Sequence, residues 1–173
     1  GLQAVFYLIF AAILDPSSYG HLSYIIALAG TFSIISRFGL NQSITIYQAK
    51  QESHLSNNLN ILSVITTVIA SLFLLFFNIY AALLCFAMSL FIMNIHNFMG
   101  LKEYKKYMFI DIIKGILIIT LPILFYFILE IPGIVLGMSI SYLICSFNFL
   151  KFSLFLQNIF QNFGIHPKIL LHN

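Results

Sequence analysis

The chain has 173 residues, of which 61% are hydrophobic and 8% charged, with a formal net charge of +3. A water-soluble domain carries about a quarter charged residues. So few charges cannot cover a soluble surface, and the composition predicts an all-α integral membrane protein. The positive balance is too small to indicate nucleic acid, and Cys85 and Cys145 lie inside apolar runs, not in a disulfide framework.

In chain order, GLQAVFYLIFAAIL (1–14) is apolar from its first residue and lacks the basic start and cleavage site of a signal peptide. It covers about 21 Å as a helix, short of the ~30 Å hydrocarbon core. It therefore reads as the second half of a spanning helix, and the chain as a fragment of a longer one. DPSSYG (15–20) reads as a turn. A second span is predicted over 22–47, followed by a polar loop, KQESHLSNN (50–58). No Asp, Glu, Lys or Arg occurs from Ser53 to Leu101. One helix of that length would overshoot the bilayer, so two are predicted, 59–77 and 80–99, joined near Asn78. LKEYKKY (101–107) is a charged loop. The fifth span is predicted over 107–129 with a kink at Pro122. The sixth follows a turn at Glu130–Gly133 and runs over 132–150. The predicted architecture is a six-helix transmembrane lobe over 1–150 whose first helix is truncated. Phe152, Phe155, Leu156, Ile159, Phe160 and Phe163 recur at helical spacing opposite Ser153, Gln157, Asn158, Gln161 and Asn162. That pattern predicts a C-terminal amphipathic interfacial helix, a cytosolic linker over 151–173.

Lys50, Lys102, Lys105, Lys106, Lys151 and Lys168 all follow even-numbered spans, whereas the opposite loops hold only Asp15 and Glu130. The positive-inside rule then predicts a multi-pass protein of the cell (inner or plasma) membrane with its N-terminus cytosolic.

Arg37 is the one arginine within these spans. Counted from the start of the second span it lies about 22 Å down, roughly 8 Å above the cytosolic face. Either it snorkels to the head groups or it faces a water-filled cavity, since a lone charge deeper in hydrocarbon costs ~3 kcal/mol or more. Asn41, Gln42 and Ser43 continue the polarity along the same segment. Asp111 and Lys114 are three apart and share a helix face. They form either a neutralised pair or, lining a cavity, a site for an anionic head group or a proton. Asn94, His96 and Asn97 cluster near the cytosolic end of the fourth span. No histidine or cysteine spacing suits a metal, and no nucleophile, phosphate-loop or paired-acid motif occurs. No cofactor is expected, and no enzyme activity.

AAILDPSSYGHLSYIIALAGTFSIISRFGLNQSITIYQAK resembles the opening of the oligosaccharide flippases. These are the polysaccharide biosynthesis and export branch of the multidrug/oligosaccharidyl-lipid/polysaccharide transporter superfamily. The residues that carry the likeness are Asp15, Pro16, Tyr19 and Gly20, then Phe38, Gly39, Leu40 and Ser43. Asp15 stands where that branch has glycine, and Arg37 where an acidic or neutral residue is common. The resemblance implies two lobes around a central cleft, alternating access, and a lipid-diphosphate-linked oligosaccharide as substrate. The chain would be the N-terminal lobe, and its partners the membrane lipid, the lipid-linked oligosaccharide and a missing C-terminal lobe. Arg37, and secondarily Lys114, would meet the diphosphate. The alternative readings are a drug or cation exporter of the same superfamily and a non-transport membrane anchor or assembly subunit.

Overall fold

A computed structural model describes residues 2–147. Among the described residues all regular structure is helical: α1 (Leu2–Ile13), α2 (Pro16–Arg37), α3 (Leu40–Ala49), α4 (Ser53–Leu75), α5 (Ile79–Gly100) and α6 (Tyr104–Phe147). Four of these, within α2, α4, α5 and α6, are long and apolar enough to cross a membrane. The protein is an all-α membrane protein. The amphipathic helix expected over 151–173 lies outside the described residues.

Helix α2 begins at Pro16, earlier than the expected residue 22. Asp15 is its N-cap: the carboxylate accepts from the Ser18 amide at 3.0 Å, and Pro16 occupies the first turn, where its missing N–H costs nothing. Ser18 holds the Asp15 carboxyl below the usual aspartate range. The expected turn 15–20 therefore shrinks to its first residue, and Ser17 to Gly20 are helical.

The expected span 22–47 is two helices. Phe38 (φ 42°) and Gly39 (φ 74°) both adopt left-handed backbone, which ends α2 and restarts the chain as α3. Two successive left-handed residues cannot continue a right-handed helix. The polar loop expected over 50–58 contracts to 50–52, because Ser56 in the first turn of α4 donates to the Gln48 side chain of α3. That local tie lets a polar run stay helical.

Helix α6 contains the expected fifth and sixth spans. Glu130 alone is non-helical within it (φ 54°, ψ −133°). Ser141 Oγ nevertheless donates to Leu117 O at 3.0 Å. In a straight helix those residues would stand about 36 Å apart, so the chain reverses at Glu130 into an antiparallel hairpin with arms 104–129 and 131–147. Pro122, where a kink was expected, lies inside the first arm with helical backbone, and the reversal sits eight residues later at Glu130. Gly137 packs on Pro122: a Cβ there would meet the Pro122 nitrogen at 2.6 Å. Close backbone approach through small residues is how membrane helices associate without a hydrophobic driving force.

The core is formed by α5 and the second arm of α6, with Leu84, Phe91, Ile134, Met138 and Tyr142 buried among Phe6 and Phe10 of α1 and Leu22 and Ile25 of α2. The Phe91 and Tyr142 rings lie 5.4 Å apart, and Asn94 Nδ2 donates to Ser146 O at 3.0 Å. Helix α4 is inverted relative to a soluble helix. Its packed stripe is Ser56, Ser63 and Thr67, joined by Leu74 near its end, all buried, whereas Ile65, Ile69, Leu72 and Phe73 are exposed. Hydrocarbon solvates the outer face, and small hydroxyl side chains let α4 approach its neighbours closely.

Candidate functional site

The break at Phe38–Gly39 positions Arg37 in the last turn of α2, pointing inward, 7% exposed. Its depth follows from two side-chain links to α5. Ser33, one turn earlier, pairs with Ser89 (Oγ to Oγ 2.9 Å). Thr45 of α3 meets His96, its hydroxyl 3.0 Å from the ring Nδ1 and donating to the backbone carbonyl at 3.2 Å. Ser89 and His96 lie about 15 and 25 Å along α5 from Ile79. Arg37 is held between those levels, inside a core of ~30 Å. Its side chain packs against the protein and not on the outer face of α2.

Among the described residues the guanidinium makes one hydrogen bond, from Nε to Ser33 O at 2.6 Å, and no ion pair. Guanidinium carries five N–H donors; the other four have no acceptor among the described residues, and the Nη atoms are not among the side-chain atoms sealed away without a partner. The carbonyl end of α2 offsets part of the charge, worth at most ~2 kcal/mol in a partly buried geometry. An uncompensated buried charge costs more, about 3–5 kcal/mol when its partner is removed. The helix end therefore compensates the charge only in part. Asn41, the second residue of α3, is buried with its side-chain carbonyl oxygen unpartnered. Gln42, the next residue, is exposed. Of the polar run after Arg37, only Asn41 turns inward.

The break itself lies on the surface: Phe38 is 78% exposed, and a Cβ placed on Gly39 would meet nothing within 4 Å.

Lys114 and Asp111 form the expected pair, Nζ to Oδ1 at 2.7 Å, and the ammonium stands 5.2 Å from the Phe91 ring centroid. The structure does not bring this pair to Arg37. Phe91 is about 200° around α5 from Ser89 at 100° per residue, so Lys114 and Arg37 approach opposite faces of that helix. Lys114 has its counter-charge; among the described residues Arg37 has none.

A polar seam missed in the sequence runs below Arg37. Asn60 and Asn97 exchange reciprocal amide bonds of 3.1 and 3.0 Å between α4 and α5, and Asn97 also donates to Met93 O at 3.1 Å. The signal was present: Ser56, Asn60, Ser63 and Thr67 recur every three or four residues, a polar stripe within an apolar helix.

A scan of protein-family models matches residues 1–131 to the family described as polysaccharide biosynthesis protein, a range that includes Arg37, the α2–α3 break and Lys114. A search of curated proteins and a search of solved structures each find no match.

Proposed function

This chain belongs to the polysaccharide biosynthesis protein family, and from that premise we propose that it moves lipid-diphosphate-linked oligosaccharide across the cell membrane by alternating access. Its role lies in polysaccharide biosynthesis or export. The observation that supports the finer reading is the Arg37 guanidinium, packed inward at the end of an apolar span with one hydrogen bond and no ion pair among the described residues. A diphosphate presents dense negative charge and planar acceptor pairs that match arginine's fork. In this reading the head group approaches Arg37 past the exposed α2–α3 break, while the lipid tail stays in the bilayer. Asn41 adds an acceptor for sugar hydroxyls or phosphate-bound water. In this reading the lobe works with a second lobe, its N-terminus on the cytosolic side. It performs no covalent chemistry and needs no cofactor; binding and release of the anion supply the cycle.

Arg37→Ala, Arg37→Lys and Arg37→Glu in the full-length protein test this, with polymer export measured in cells and membrane protein levels measured in parallel. Arg37→Glu is expected to abolish export by repelling the diphosphate. Arg37→Lys, which keeps the charge but not the fork, is expected to retain a fraction. Normal export by Arg37→Glu at normal protein level overturns the proposal.

A further inference from the structure

The ends of α3 and α5 lie together. A Cβ on Gly100 would meet Gln48 Cβ at 2.6 Å and Thr45 O at 2.8 Å, so the two helices finish side by side. Lys50 follows Gln48 by two residues, and Lys102 follows Gly100 by two. Lys105 and Lys106 open α6 at the same end. Four lysines therefore face two glutamates, Glu52 and Glu103, on one rim. Glu103 is spent on Lys106, at 2.6 Å. Among the described residues Lys102 and Lys105 make no ion pair. The segment Lys102–Lys106 borders a shallow, open surface depression there.

Immediately beside the lysines the surface turns apolar. Tyr104 is 60% exposed, Met108 59% and Phe109 60%, and the same ridge of α6 continues into Ile112 and Ile116, also exposed. Cations above and a continuous oily strip below match one kind of molecule, with a phosphate at one end and acyl chains at the other. A free phosphate or a nucleotide would use the lysines but leave the strip bare. We propose that the rim at 102–106 seats the head group of an acidic phospholipid of the adjoining leaflet, with its chains along the exposed ridge of α6. This site is separate from Arg37 and rests on the membrane fold alone, so it stands or falls independently of the transport reading.

Full-length protein in nanodiscs of phosphatidylcholine with a minor share of phosphatidylglycerol provides the test, the retained lipid being counted by native mass spectrometry. Wild type is expected to retain phosphatidylglycerol over phosphatidylcholine. Lys102→Gln with Lys105→Gln is expected to lose that preference by roughly fivefold for each lysine neutralised. Lys102→Arg with Lys105→Arg is expected to keep it. Both lysines are exposed, and matching gel-filtration profiles establish that the variants fold alike. Equal retention of the two lipids by wild type, or an undiminished preference in the glutamine variant, overturns the proposal.

Discussion

At the scale of single residues, the polar side chains inside this lobe act as fasteners, and their energies are modest because the competing state in a membrane also finds partners. The Asn60–Asn97 exchange ties α4 to α5. A double-mutant cycle with Asn60→Ala and Asn97→Ala, read by thermal unfolding in detergent, is expected to give a coupling of about 0.6 kcal/mol, with ~1.7 kcal/mol as the upper bound. A coupling indistinguishable from zero would show that these amides do not hold the helices together. Arg37 is a different case. Its residue type and approximate depth were legible in the sequence, and so was the choice between head groups and cavity. That the side chain packs inward was not legible, because the direction of a side chain depends on where α2 stops. That end is set by the left-handed backbone of Phe38, a residue that seldom adopts it. Asp111 and Lys114 were legible as a pair since three-residue spacing acts within one helix; their separation from Arg37 depends on the packing of α5.

At the scale of helices, the α6 hairpin is held by backbone-to-backbone approach. Gly137→Ala puts a methyl group against the Pro122 backbone, at 2.6 Å from its nitrogen and 2.7 Å from its Cα. Neither atom can yield without moving the helix, so the change is expected to destabilise by about 1–3 kcal/mol, the usual cost of overpacking. Gly30→Ala is the matched control. A Cβ there meets nothing within 4 Å, and alanine should stabilise by up to ~1 kcal/mol through helix propensity. Thermal unfolding of both variants checks the contrast; a Gly137→Ala protein as stable as Gly30→Ala would refute close packing at this point. The sequence marked the reversal with Glu-Ile-Pro-Gly, but it did not show that only Glu130 leaves the helical region. Pro132 fits inside the first turn of the second arm, where no N–H is required. The α2 start is the reverse case: Asp15-Pro16 is both a turn signal and a cap-plus-first-turn signal. The packing of Leu22 and Ile25 against the core favours the helix.

At the scale of the whole molecule, the arrangement predicts a sided labelling pattern. With Cys85 and Cys145 replaced by alanine, single cysteines are introduced at Gln51, Phe77, Lys102 and Glu130. An impermeant thiol reagent added to intact cells is expected to label positions 77 and 130, whereas 51 and 102 are labelled only after the membrane is opened. A reversed pattern would overturn the cytosolic placement of the lysines; a mixed one would overturn the order of crossings. The sequence by itself determined that this is a helical membrane protein, where its apolar segments lie and that a charge sits within them. Hydrocarbon imposes those outcomes on any chain of this composition, through internal backbone hydrogen bonding and the cost of a buried ion. Tertiary structure alone decided that α2 breaks after Arg37, that α4 packs through its hydroxyl stripe, and that Arg37 and Lys114 occupy opposite faces of α5. Those outcomes depend on which surfaces fit at close range between segments far apart in the chain, and periodicity within one segment carries no record of them.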